Sequence, residues 1–221
     1  MIKKISERER ERDKLIYMKR NMYRYLAFCG VIAPILFTVV LLILGFVQPE
    51  YSHVTQYISE LGAVDAPYAL VMNTVGIPLL GVLIIAFAFA LDRGVNKVEG
   101  LKIGPILVVI SGFSFVLCGI FICDPDCIPV STVGILHGYM CFIAQFALIF
   151  APFFMFHRLA RDDRWGNYHI YSLMIAVIAL LVAVVYKFYG FGDLTGVIQR
   201  ISFGVPLLWV EVMAIKLLRV L

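Results

Sequence analysis

Charged residues are scarce in this sequence of 221 residues: Lys, Arg, Asp and Glu make up 15% of it, and hydrophobic residues make up 62%. A typical soluble domain has charged residues at about a quarter of its positions. The mean hydropathy of +0.92 is correspondingly high. Little of the chain is therefore left for a soluble domain. The net charge is only +4, and we do not expect a nucleic-acid partner.

The sequence also lacks the short motifs that identify common catalytic sites. It has no nucleophilic serine motif, no glycine-rich phosphate loop and no HExxH element. No spacing of His, Cys, Asp and Glu matches a defined metal motif. We therefore expect no cofactor and no metal, and whether the protein is an enzyme stays open.

What the sequence does contain is six long apolar runs. Each can cross the hydrocarbon core of a bilayer, which takes roughly 20 residues of helix. Irregular backbone and open sheet edges are excluded from lipid, so the runs predict an all-α polytopic membrane protein, a bundle of six transmembrane helices. They lie at Tyr25–Val47, Leu70–Leu91, Ile103–Cys123, Ile135–Phe156, Ile170–Tyr189 and Ile198–Leu218.

The basic residues are distributed very unevenly around these runs. If the N-terminus is cytoplasmic, 17 of the 19 Lys and Arg residues lie on the cytoplasmic side, and the exceptions are Lys187 and Arg200. The positive-inside rule therefore predicts a multi-pass protein of the cell membrane with both termini in the cytoplasm. Residues 1–24 form a charged cytoplasmic leader helix in this prediction, and residues 25–221 form the transmembrane domain.

The first outer loop carries a helical pattern of its own. Val54, Tyr57, Ile58 and Leu61 recur at i, i+3, i+4 and i+7, and Gly62 is well placed to end a helix. We expect Ser52–Leu61 to be a short interfacial helix on the outer surface, with these four side chains turned inward. Its polar stripe either faces water or forms the roof of a polar cavity.

Several polar residues lie at a similar height, near the predicted outer boundary of the membrane. Polar side chains inside spans are costly and mark function by default. In the fourth span, His137, Cys141 and Gln145 form one line at a spacing of i, i+4 and i+8. We expect a polar outer pocket there, with ligand-binding candidates Arg200, Gln199, His53, Glu60 and Asn73, and catalytic candidates His137, Asp124 and Asp126.

Four interpretations of these residues remain open. His137 could bind a metal together with Asp124, Asp126 and His53, or act as a general base oriented by one of the carboxylates. Arg200 could bind the phosphate or carboxylate of a lipid. Alternatively, Arg200 pairs with an acidic residue and only fastens the outer end. Because an inward-pointing Arg needs a partner, we expect it within reach of Glu60, Asp124, Asp126 or Asp193.

The five cysteines divide into two groups. Cys29, Cys118 and Cys141 lie in spans, where cysteine usually serves as a small packing residue. Cys123 and Cys127 bracket Asp-Pro-Asp on the predicted outer, oxidising side. A disulfide, two free thiols or metal ligation are the alternatives for this pair, and a disulfide requires closely spaced Cα atoms.

Four segments, TQYISELGAVDAPYA, FICDPD, GILHG and GVIQR followed by LLW, resemble an uncharacterised bacterial and archaeal membrane family, domain of unknown function 998. The resemblance covers about residues 25–218 and implies a six-helix fold with outer-side residues as the shared feature. It implies no activity. The matching positions are Ser59, Glu60, Leu61, Gly62, Asp124, Pro125, His137, Gln199, Arg200 and Trp209.

The sequence thus leads to three hypotheses of function. The first is a membrane protein whose outer pocket binds a lipid or another amphipathic ligand, with membrane lipids as its partners. The second is a membrane-embedded hydrolase or transferase that uses His137 with Asp124 or Asp126. The third is an accessory or structural subunit with a membrane-protein partner or a second copy of the chain.

Overall fold

The computed structural model describes residues 2–95, 102–188 and 192–221, and these residues contain six long helices and no strand. All six helices include a stretch that is long and apolar enough to cross a membrane. The predicted six-span helical fold is therefore confirmed. The helices are α1 (Ile2–Val47), α2 (Ala69–Gly94), α3 (Ile103–Ile120), α4 (Thr132–Ala160), α5 (Tyr168–Phe188) and α6 (Thr195–Val220).

The helices form a ring in which each one packs against its neighbours in sequence, and α6 closes the ring against α1. Short connections between helices of alternating direction favour this arrangement. The helices α2 and α3 approach each other closely. A Cβ atom on Gly81 would collide with the carbonyl oxygen of Gly112, and one on Gly112 would collide with that of Gly81. Small residues thus let the two backbones touch, as is common between membrane helices.

Residues 2–24 of the predicted leader helix and the first span form one continuous helix in α1, 46 residues long. The apolar part suited to the membrane begins at Tyr17, and the charged part precedes it. Along the rest of α1, side chains such as Phe46 and Tyr25 are exposed on the outer surface of the bundle, where a bilayer supplies apolar contacts.

The first outer loop differs from the amphipathic helix predicted for Ser52–Leu61. A turn at residues 53–55 is followed by a short 3-10 helix, Ile58–Gly62. Ile58 and Leu61 are buried as expected, whereas Val54 is 45% exposed. The Glu60 side chain accepts from Tyr57 N, an amide group that an α-helix would pair with the carbonyl oxygen of His53. Local polar side chains therefore compete successfully with the helix.

The second outer loop is closed by a disulfide between Cys123 and Cys127. Their Cα atoms are 5.3 Å apart, which lies within the usual range for a disulfide. Asp126 and Cys127 have positive φ angles of 54° and 52°, so the chain turns sharply inside the bracket. Of the three alternatives that the sequence left open, the structure has the disulfide.

At the end of the bundle away from these two loops, polar contacts hold the helices together. Arg158 near the end of α4 lies 2.8 Å from the carboxylate of Asp92 near the end of α2. In the next turn, Arg164 pairs with Asp162 at 2.7 Å, and the buried Trp165 donates to the carbonyl oxygen of Gly94. The ion pair raises the pKa of Arg164 above its usual value. These contacts join α2, α4 and the loop before α5.

Candidate functional site

The first turns of α6 bind the main chain of the first outer loop. The Gln199 side chain accepts a hydrogen bond of 2.7 Å from Ile58 N, and Val197 N donates to the carbonyl oxygen of Val54. Gly196 permits this contact, because a Cβ there would lie 2.5 Å from the carbonyl oxygen of Gln56. The GVIQR segment is thus a docking surface for the loop.

Arg200 continues this docking surface and does not form the ion pair that we predicted. Its guanidinium donates to the carbonyl oxygens of Gln56 and Gly196, to the Tyr51 hydroxyl and to Nδ1 of His53. No ion pair joins it to a carboxylate among the described residues. Main-chain carbonyls and a phenol disperse the positive charge, so an acidic partner is not required.

The charge of Arg200 affects the two loop side chains that accept from it. Burial lowers the pKa of His53 below its usual value, and the positive charge of Arg200 lowers it further. Burial raises the pKa of Tyr51, although Arg200 opposes this shift. His53 is therefore held in its neutral form, which suits an Nδ1 atom that accepts a hydrogen bond.

The other ligand-binding candidates do not meet in one pocket. Glu60 accepts from Gln56 and from Tyr57 N, and it borders a small cavity of about 190 Å³ together with Asp126. Asn73 donates to the carbonyl oxygen of Gly62. Both residues thereby hold the first outer loop in shape, away from His137.

Asp124 organises the start of α4. Its carboxylate accepts from Val130 N, from Ser131 N and from the Ser131 hydroxyl. The bonds from Ser131 lower the pKa of Asp124 below its usual value. A Cβ on Gly134 would collide with this carboxylate, so glycine is needed there. Asp124 is thus an ionised group that holds a loop, and its oxygen atoms are bonded to that loop and not to His137.

His137 is oriented by main-chain carbonyls and not by the carboxylate that the sequence suggested. Its Nδ1 lies 2.7 Å from the carbonyl oxygen of Phe121 and 3.0 Å from that of Cys118. A carbonyl can only accept, so Nδ1 carries the proton and Nε2 carries the free lone pair. Nε2 faces Cys141 Sγ at 3.4 Å, and that sulfur lies 3.1 Å from Cys118 Sγ.

These three side chains are the group in the described residues with the spacing of metal ligands. Their donor atoms all lie within 4.8 Å of one another, and Cys118 and His137 are buried. His137 and Cys141 occupy one face of α4, as the i, i+4 spacing predicted, while Cys118 comes from the last turn of α3. The arrangement can bind a metal ion, or its thiols and imidazole can exchange a proton.

His137 and Cys141 border a cavity of about 210 Å³ that is lined by both polar and apolar groups. Asp124, Gln199 and Ser59 also border it. Of the predicted site residues, the structure therefore brings His137, Asp124 and Gln199 to one cavity. Arg200, His53, Glu60, Asn73 and Asp126 do not line it.

A second, mainly apolar groove adjoins this cavity. It has a volume of about 390 Å³ and lies between α4, α5 and the start of α6. Its walls carry the phenyl rings of Phe142, Phe146 and Phe150 on α4, and Lys187 lies at its border. Inside it, the Gln145 side chain donates to the Ser202 hydroxyl. Cys141, Tyr186 and Gln199 line both the cavity and the groove, so the two spaces meet at these residues.

A family profile described as "Protein of unknown function (DUF998)" matches residues 31–216. The chain belongs to this family. The match covers most of the chain and confirms the resemblance drawn from the sequence segments. No match was found among curated proteins, and none was found among solved structures.

Most residues that carry the resemblance to this family now have a structural role. Trp209 is buried and donates to the Ser172 hydroxyl at 2.9 Å, and Gln199, Arg200 and Glu60 shape the docked loop. Sequence reasoning missed Cys118 and Tyr186 as site residues. Cys118 gave no signal, because its meeting with Cys141 depends on the register between α3 and α4.

Proposed function

We propose that the protein binds a membrane lipid or a similar amphiphile, with its polar head in the cavity beside His137 and its apolar chain in the groove. The observation that supports this proposal is that Cys141, Tyr186 and Gln199 line both the cavity and the groove. The groove volume of about 390 Å³ falls within the usual range for ligand pockets, roughly 300–1,000 Å³.

The polar end carries the selectivity in this proposal. Moving an acyl chain from bilayer to groove exchanges one apolar environment for another, so it supplies little free energy. Discrimination then comes from hydrogen-bonding groups at the head, here Ser59 and Gln199. Lys187 at the border of the groove adds a positive charge, which favours an anionic headgroup. Arg200, the anion-binding candidate from the sequence, has its guanidinium bonded to the first outer loop.

Blocking the groove should release the lipid. Ala183 lines the groove on α5, and Ala183→Trp would fill the space that the chain occupies. We expect the amount of lipid retained per protein chain, measured by native mass spectrometry after mild detergent extraction, to fall at least five-fold. That fall corresponds to about 1 kcal/mol of binding free energy.

The matched control is Leu181→Trp, which places the same side chain at a position on α5 that is 59% exposed on the outside of the bundle. It should retain lipid as the wild-type protein does, and both variants should keep the wild-type melting temperature within a few degrees. Equal lipid retention in Ala183→Trp and Leu181→Trp would exclude the groove as the binding site.

We also infer that the cavity faces the cell exterior, since the basic bias of the sequence assigns both termini to the cytoplasm. Val64 in the first outer loop and Asn167 before α5 are both exposed. With a membrane-impermeant maleimide on intact cells, Val64→Cys should be labelled and Asn167→Cys should not. The wild-type protein is the control for background labelling, because it contains the free cysteines Cys29, Cys118 and Cys141. Labelling of position 167 but not of position 64 would show that the protein has the opposite orientation, with both termini outside.

A further inference from the structure

The group of Cys118, His137 and Cys141 is not explained by lipid binding. We infer that these side chains form a binding site for a thiophilic metal ion, and that zinc is the ion which the donor set fits best. The inference goes beyond the proposed function, because the site requires no ligand in the groove. Two sulfurs and one imidazole nitrogen make a donor set that also occurs in catalytic zinc sites.

The histidine is prepared for metal binding by its surroundings. Its Nδ1–H is held by the carbonyl oxygens of Phe121 and Cys118, so the lone pair of Nε2 points at the sulfurs. Metal-bound histidines almost always donate their second nitrogen in this way, and the bond fixes both tautomer and ring orientation.

The separations of the donor atoms are close to those of a tetrahedral site. With zinc–sulfur bonds of about 2.3 Å and a zinc–nitrogen bond of about 2.0 Å, the sulfurs would lie about 3.8 Å apart and each sulfur about 3.5 Å from the nitrogen. Cys141 Sγ lies 3.4 Å from His137 Nε2 and 3.1 Å from Cys118 Sγ. Binding an ion therefore requires the two sulfurs to move apart by about 0.7 Å, and the third separation, from Cys118 Sγ to His137 Nε2, lies within 4.8 Å.

Charge balance also favours an ion at this place. Cys118 is fully buried and His137 nearly so, and an unpaired charge in such an environment is costly. Two thiolates, one neutral imidazole and one divalent cation have a net charge of zero. The ion thus removes the cost of burying the thiolates, and no carboxylate is needed to complete the site.

The site would keep one coordination position open. Cys118 closes it from the side of α3, whereas His137 and Cys141 both border the polar cavity. A fourth ligand could therefore enter from the cavity, as water or as an oxygen of a bound molecule. Structural zinc sites are usually closed by four protein ligands, whereas an open position is typical of sites that bind or activate a small ligand.

Metal analysis of the purified full-length protein tests the inference. After purification in mild detergent without chelators and incubation with zinc, the wild-type protein should retain about one zinc per chain on gel filtration. Cys118→Ser and Cys141→Ser should each reduce this amount at least ten-fold. Cys29→Ser is the matched control, because it removes the free cysteine of α1 and should retain zinc as the wild type does.

A second measurement uses the unmodified protein and therefore does not depend on the folding of variants. Replacing zinc by cobalt should give the intense near-ultraviolet absorption of cobalt–thiolate bonds, and a chelator should abolish it. Zinc should also slow the reaction of Cys118 and Cys141, but not of Cys29, with a thiol reagent. Retention of copper(I) in place of zinc, with the same dependence on the two cysteines, supports a thiophilic site.

Two results would overturn the inference. One is an amount of bound metal that is equal in the wild type and in both cysteine variants, with no cobalt–thiolate absorption. The other is a disulfide between Cys118 and Cys141 in the freshly extracted protein, found by mass spectrometry, since bonded sulfurs cannot act as two thiolate ligands. Either result can occur while Ala183→Trp still loses its lipid, so failure of the metal site and failure of lipid binding are separable.

Discussion

Arg158→Ala should melt at a clearly lower temperature than the wild-type protein, with a loss of roughly 3 kcal/mol in the free energy of unfolding. Arg158 is 2% exposed and pairs with Asp92, and it also donates to the carbonyl oxygens of Asp92 and Val95. Without Arg158, the largely buried carboxylate of Asp92 and the main-chain carbonyl groups of Asp92 and Val95 each lose a hydrogen-bond donor. We expect the lower end of the known range for such losses, because the Asp92 side chain is still 26% exposed.

Arg161→Ala is the control for this prediction. It removes the same charge three residues further on, at an exposed position, and should leave the melting temperature nearly unchanged. The double variant Arg158→Met with Asp92→Leu should regain much of the lost stability, because no uncompensated charge remains. Thermal unfolding in detergent, followed by circular dichroism, measures all four proteins. Similar melting of Arg158→Ala and Arg161→Ala would show that the pair does not fasten this end.

Arg200→Ala should release the first outer loop from α6 and lower the free energy of unfolding by roughly 1.5–3 kcal/mol, the usual value for hydrogen bonds to a charged group. The guanidinium is the common donor to Tyr51, His53 and Gln56. We therefore expect hydrogen exchange of the amides in residues 51–62 to become faster, while the middle of the helices stays protected. Exchange measured by mass spectrometry gives this comparison directly.

Two further variants separate the structural role of Arg200 from a role in ligand binding. Lys187→Ala removes an exposed cation at the same end and should not change exchange in the loop. Arg200→Lys keeps the charge but loses the planar fork of donors, so its effect should be intermediate. If Arg200→Ala left loop exchange unchanged and only reduced lipid retention, Arg200 would be the ligand-binding residue that the sequence suggested.

The number and order of the membrane helices could be predicted from the sequence, because hydropathy is a sum over neighbouring residues. The same holds for the inward line of His137, Cys141 and Gln145, which follows from the pitch of one helix. The first outer loop shows the limit of periodicity. Its apolar spacing indicates an α-helix, but Glu60 binds the Tyr57 amide group that the helix would need.

The pairing of charges could not be predicted, because it depends on which helices are neighbours. Arg158 counted as one of many cytoplasmic charges in the sequence, yet it is buried against Asp92, 66 positions earlier in the chain. Arg200 looked like a group in need of a carboxylate, yet main-chain carbonyls of a docked loop surround it. Main-chain carbonyl acceptors cannot be recognised from residue types, so our prediction from the sequence gave acidic side chains too large a role.

The sequence by itself determined a six-span helical protein and the residues that would lie near one end of its bundle, because hydropathy and helical pitch act over short distances along the chain. Only the tertiary structure decided which of these residues meet. It separated Arg200 and Glu60 from the cavity, and it brought Cys118 of α3 to His137 and Cys141 of α4. That meeting depends on the rotation and height of two packed helices, which are set by side-chain contacts along their whole length.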